Sequence, residues 1–138
     1  MKTKIIEFED LGCKYLLLKH HRKAKSKEKS FWTISEKIEI HIFQNSYEKN
    51  WKDNNVAWGI FLEKGRMNQI GLLVNKTASY IAKFIDGNSK EEWHGYPADI
   101  IGNRQDVPNT KILQNWCEHK IIRKHQMMKI KRGIKCNL

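Results

Sequence analysis

Cysteine is scarce and unpaired in this chain: Cys13, Cys117 and Cys136 are odd in number and far apart, which suits reduced thiols better than a disulfide framework. There is no Cys-x-x-Cys and no His-Glu-x-x-His, and Cys117, His119, His125 and Cys136 are irregularly spaced for zinc. Neither a Gly-rich dinucleotide turn nor a Walker-type Gly-Lys-Ser/Thr occurs, and there is no nucleophile elbow. No metal and no cofactor are therefore expected. No stretch approaches the roughly 20 apolar residues of a membrane span. Residues 1 to 20 lack the apolar core of a signal peptide and carry Glu7, Glu9 and Asp10 instead, so the expected location is cytoplasmic, away from membranes.

Arginine is also rare. Of 26 basic residues only five are arginine, so the positive field comes from lysine point charges, which attract phosphate more than they read base edges in bidentate fashion. The net charge of +11 sits in two blocks, +6 within residues 14–29 and +7 within residues 111–135, while the remainder is nearly neutral. Two such blocks on one face would form a polyanion-binding surface.

What remains is rich enough to fold. A hydrophobic fraction of 40% with five tryptophans in 138 residues predicts one domain with a packed core. Residues 4–8 and 14–20 read as a hairpin with Gly12 in its turn, and 22–30 as an exposed basic loop. The alternation of Ile38, Ile40 and Ile42 predicts a strand over 37–43 with His41 on its polar side. Residues 44–55 read as a loop or short helix. Residues 56–63 and 69–75 read as strands joined by a hairpin at Gly65, and 78–85 as a further strand, ending at Asp86-Gly87-Asn88, in an antiparallel meander. Beyond Pro108 the period becomes helical, first over Ile112, Leu113, Trp116 and Cys117, then over 124–132 with Gly133 as stop. The expected fold is α+β: an antiparallel sheet of about five strands with a C-terminal helical pair packed on it.

Glu91 to Asp106 concentrates the potential chemistry. His94 can exchange protons near neutral pH, Asp99 can orient its ring, and Lys83 or Arg104 can stabilise a phosphate; together they would make a small metal-independent ribonuclease, of toxin type. The competing reading is structural, with Trp93-His94-Gly95-Tyr96-Pro97 as a turned corner whose rings pack on the core. The basic blocks favour a nucleic-acid-binding protein, RNA ahead of DNA. Its phosphate contacts are expected from Arg22, Lys23, Lys25, Lys27 and Lys29 in the loop, and from Arg123, Lys124, Lys129, Lys131 and Arg132 in the last helix. Trp32 and Trp51, each beside basic residues, are either core rings or stacking surfaces for an unpaired base. A protein-interaction subunit docking on an acidic partner is the reading from a different class.

Overall fold

A computed structural model describes residues 3–22 and 29–138. β1 (Lys4–Phe8) and β2 (Cys13–Leu17) form the expected antiparallel hairpin, with Gly12 at φ 70° in its turn. The second run ends sooner than the sequence suggests, because Lys19–His21 coil into one 3-10 turn. β3 (Phe31–Trp32) follows, and then the first departure from expectation.

Residues 37–43 are not a strand. They lie inside α1 (Glu36–Glu48), which starts where the Ser35 hydroxyl accepts from the Ile38 amide and where Glu36 and Glu39 complement the helix dipole. The buried positions Glu39, Ile42, Phe43 and Ser46 recur at spacings of three and four, so the isoleucine alternation only imitates a strand. His41 is exposed on this helix. The helix also covers the first part of residues 44–55, which read as a loop or short helix.

Eight short strands complete the sheets: β4 (Lys52–Asp53), β5 (Val56–Gly59), β6 (Leu62–Glu63), β7 (Arg66–Met67), β8 (Gly71–Leu72), β9 (Ala78–Ser79), β10 (Ala82–Asp86) and β11 (Glu92–Pro97). The Lys64-Gly65 turn is where it was expected, with both residues at positive φ, but it closes only the small β6–β7 ribbon. Residues 78–85 divide between β9 and β10, which belong to different sheets. The main sheet has six strands in the order β1-β2-β11-β10-β5-β4, antiparallel except where β11 runs parallel to β2. It is therefore not a meander. The C-terminal pair is present as α2 (Thr110–Glu118), capped by Asn109, and α3 (Lys124–Arg132), stopped by Gly133 at φ 67°. Among the described residues no helix is long and apolar enough to cross a membrane.

The sheet separates two cores. On one face Tyr15, Leu17, Phe84 and Trp93 pack against Ile42 and Phe43 of α1, with Trp32 stacked near Phe84 at 6.4 Å. On the other, Trp58, Ile60 and Ile81 pack against Ile112, Leu113, Trp116 and Ile130 of the helical pair, joined by Trp51. Trp32 and Trp51 are each only 4% exposed, so both are core rings and neither offers a stacking surface.

Trp93 to Pro97 is likewise not a corner. It is a central strand, and its glycine answers to packing, since a Cβ on Gly95 would lie 2.2 Å from a Phe84 ring carbon and 3.0 Å from the Tyr15 hydroxyl. Gly95→Ala should therefore cost about 1–3 kcal/mol through overpacking. Gly87→Ala, where a Cβ would meet nothing within 4 Å, should be near neutral by comparison. Chemical denaturation of the two variants measures the difference, and equal midpoints would contradict the packing account.

Candidate nucleic-acid interface

Alternation along β11 points Trp93, Gly95 and Pro97 toward α1 and leaves Glu92, His94 and Tyr96 on the opposite face. The register places Tyr96 beside Lys83 and His94 beside Ile85. Only part of this face is covered. Ile5, Leu16 and Ile85 belong to neither core, and Ile5 is 58% exposed.

Next to the open part lies a closed polar cluster centred on Asp106. Its carboxylate accepts from the Tyr96 hydroxyl at 2.7 Å, the Asp99 amide at 2.8 Å and the Asn103 side chain at 3.3 Å, and pairs with the Lys83 ammonium at 3.5 Å. Lys83 also donates to the Gln105 carbonyl at 2.7 Å, and Trp58 donates its indole N–H to the Asp106 carbonyl at 2.9 Å. Lys83 and Asp106 are both buried, and a charge taken out of water must be paired and hydrogen-bonded, as each is here. Burial, and then the Asp106 carboxylate, push the Tyr96 phenol well above its ordinary value of 10.

The four residues expected to serve catalysis are distributed as follows. Lys83 sits in the Asp106 cluster. Asp99 caps its own turn, its Oδ1 accepting from the Ile101 and Gly102 amides at 3.2 and 2.8 Å. Arg104 is exposed in a short 3-10 turn that packs near the end of α3, where a Cβ on Gly133 would lie 3.2 Å from its guanidinium. His94 is half-buried on the β11 face. The sequence suggests only core packing for Tyr96 and no role of its own for Asp106, because their contact joins residues ten apart that no local pattern links. Among the described residues no group of three or more His, Cys, Asp or Glu is arranged to hold a metal.

The described ends of the first basic block are held against α1 and β11, and the second block lies on the helical pair. Arg22 is drawn inward: it pairs with buried Glu39 at 2.6 Å and donates to the Ile34 carbonyl, while the Tyr15 hydroxyl donates to the same carboxylate. Burial raises the Glu39 pKa, and the bonds from Tyr15 and Arg22 oppose that rise. Arg22 thus anchors the start of the basic segment. Lys29 is exposed at its other end, and Lys23, Lys25 and Lys27 lie outside the described residues. Ser30 ties the end of the segment to β11, its hydroxyl donating to the Pro97 carbonyl at 2.9 Å.

The C-terminal pair presents its charge outward. α2 and α3 are joined through Lys120 at φ 60°, a left-handed position filled without the glycine usual there. Arg123, Lys124, Lys129 and Arg132 are exposed, and Lys131 is half-buried. His125, which the sequence offers only as an irregularly spaced metal ligand, and Met128 are exposed on the same outer arc.

Comparison of the chain with family profiles, curated proteins and solved structures found no match. The functional reading therefore rests on this geometry.

Tyr96 supplies a pH test. Its folded pKa lies above the unfolded value, so the stability it contributes is complete below pH 10 and is lost as pH rises beyond that point. Tyr96→Phe should lower stability by about 2 kcal/mol near neutrality, the worth of a hydrogen bond to a charged group, and flatten the alkaline decline. Denaturant midpoints from pH 8 upward check both, and a variant with an unchanged alkaline slope would contradict the Asp106 bond.

Proposed function

We propose that this is a small nucleic-acid-binding protein, RNA favoured over DNA, that holds phosphates through lysine-rich surfaces. One observation carries the reading: the outer arc of α3. At 3.6 residues per turn Lys124, His125, Met128, Lys129 and Arg132 share one side of this helix, and Ile130 and Met127 occupy the other. Ile130 is fully buried against α2, whereas Met128 is 37% exposed amid the cations. The helix contains no acidic residue, so nothing on it neutralises the arc. A cationic stripe on a rigid helix, docked by one face only, suits a phosphate backbone. The preference for RNA rests on a lysine-rich surface over a sheet.

Fluorescence anisotropy with a labelled RNA tests this. Binding should weaken steeply between low and moderate salt, because each neutralised phosphate releases counterions. Replacing Lys124, Lys129 and Arg132 together with Ala should reduce the log–log salt slope by about 2 to 3. These side chains are exposed, so stability should hardly change. No binding at low salt would sink the reading. Polyglutamate that competes as well as RNA at matched charge would move the proposal to an acidic protein partner.

A further inference from the structure

We infer that the path of a bound RNA strand does not stop at α3 but crosses α2 into a second cationic cleft beside the end of α1. The strand is then held by its phosphates on both flanks of α2. The inference rests on the nucleic-acid reading and adds to it the route of the strand and the cations at its far end.

Two clefts flank α2. One is lined by Lys49 and Lys52, just beyond α1, and by Lys111 and Asn115 of α2. The other is lined by Lys120 and Arg123 from the connection between the helices, by Lys124 of α3 and by Cys117 of α2. At about 340 and 730 Å³ both fall within the roughly 300–1,000 Å³ of ordinary ligand clefts. Gln114 and Glu118 line both, so they form the crest between them. At 3.6 residues per turn these two stand one above the other, with Lys111 and Asn115 to one side and Cys117 to the other. Lys124 also belongs to the α3 arc, which makes arc, cleft, crest and second cleft one continuous surface. A helix is about 10 Å across, a distance that about three stacked nucleotides span.

The cations of the far cleft are set in place before any ligand arrives. The Lys52 ammonium lies 3.8 Å from the centre of the Tyr47 ring, and that of Lys49 lies 5.7 Å from the centre of the Trp51 ring. A ring face attracts an ammonium without neutralising it. The floor is fixed as well, because Trp51 donates its indole N–H to the Asn115 side chain at 2.9 Å and meets Trp116 edge-on at 5.6 Å. Cations positioned in advance lose less freedom on binding a phosphate. Among the described residues none of the six cations lining the two clefts is in an ion pair, in contrast to Arg22 and Lys83. Solubility alone accounts for exposed lysines, but not for the gathering of three in one cleft around a single carboxylate, Glu118.

Fluorescence anisotropy with a labelled RNA gives the first readout. Lys49→Gln combined with Lys111→Gln, which leaves the Lys52–Tyr47 contact intact, should reduce the log–log salt slope by about 1 to 2. Glu118→Gln should act in the opposite direction and tighten binding about 2- to 5-fold at low salt. A wild-type slope in the double variant overturns the second cleft and leaves the nucleic-acid reading standing, whereas no binding by the wild-type protein overturns both. Lysine acylation of the wild-type protein with and without RNA, read by mass spectrometry, needs no variant. Lys49, Lys111, Lys120 and Lys124 should be protected, while Lys64 and Lys76, which are exposed and line neither cleft, should react as before. Protection confined to the lysines of α3, or spread evenly over all exposed lysines, overturns the path across α2.

Discussion

The carboxylate of Asp106 is the contact on which the arrangement of this protein turns. A buried charge must be matched, and here the match is made by groups from three places: Lys83 on β10, Tyr96 on β11 and the amide of Asp99 in the connecting segment. Trp58 on β5 completes the junction through the Asp106 carbonyl. Residues 98–107 are thereby folded back across the sheet and delivered to Asn109, where α2 begins. Without that return, the helical pair would have no fixed path from the edge of β11 to the face where Trp58, Ile81 and Ala98 await Trp116 and Leu113.

A second buried carboxylate does the equivalent work on the other face. Glu39 lies within α1, where an acid would ordinarily face solvent, and receives both Arg22 and Tyr15. Its effect is to bind the beginning of the basic segment to the helix that covers the sheet. Breaking either pair by removing one partner would leave a buried charge, which costs more than the intact pair contributes. The two carboxylates thus fix register: one positions the helical end of the chain and the other positions the root of the lysine segment.

Much of the local architecture was legible, and the exceptions share a cause. The β1–β2 hairpin, the Lys64-Gly65 turn and both C-terminal helices follow from patterns within a few residues, such as Gly12, Asn109 and Gly133 at their boundaries. Ile38, Ile40 and Ile42 misled because Ile38 and Ile42 satisfy a period of two and a spacing of four at once, and only the Ser35 cap and the burial of Phe43 and Ser46 separate the two. Gly95-Tyr96-Pro97 misled for a different reason. Glycine in a turn and glycine beneath a phenyl ring look identical in sequence, and the neighbour that demands it, Phe84, is 11 residues away in the chain. Pairing of β11 with β2 in parallel joins residues still farther apart, beyond the reach of any local signal.

The same distinction explains what could be read of the candidate site. The two basic blocks were plain in composition, but their usefulness depended on where folding put them, and charge counts carry no such information. The fold separates residues of like composition into different roles. Arg22 is neutralised by Glu39 and Lys83 by Asp106, whereas Lys124, Lys129 and Arg132 remain on an arc without an acid. Position relative to a buried carboxylate, not residue type, decides which cations remain open to a polyanion. His21 stands beside the anchored Arg22 and over Tyr96, its Nδ1–H donating to the carbonyl of Ser30, so both described ends of the basic segment are tied to the fold near β11.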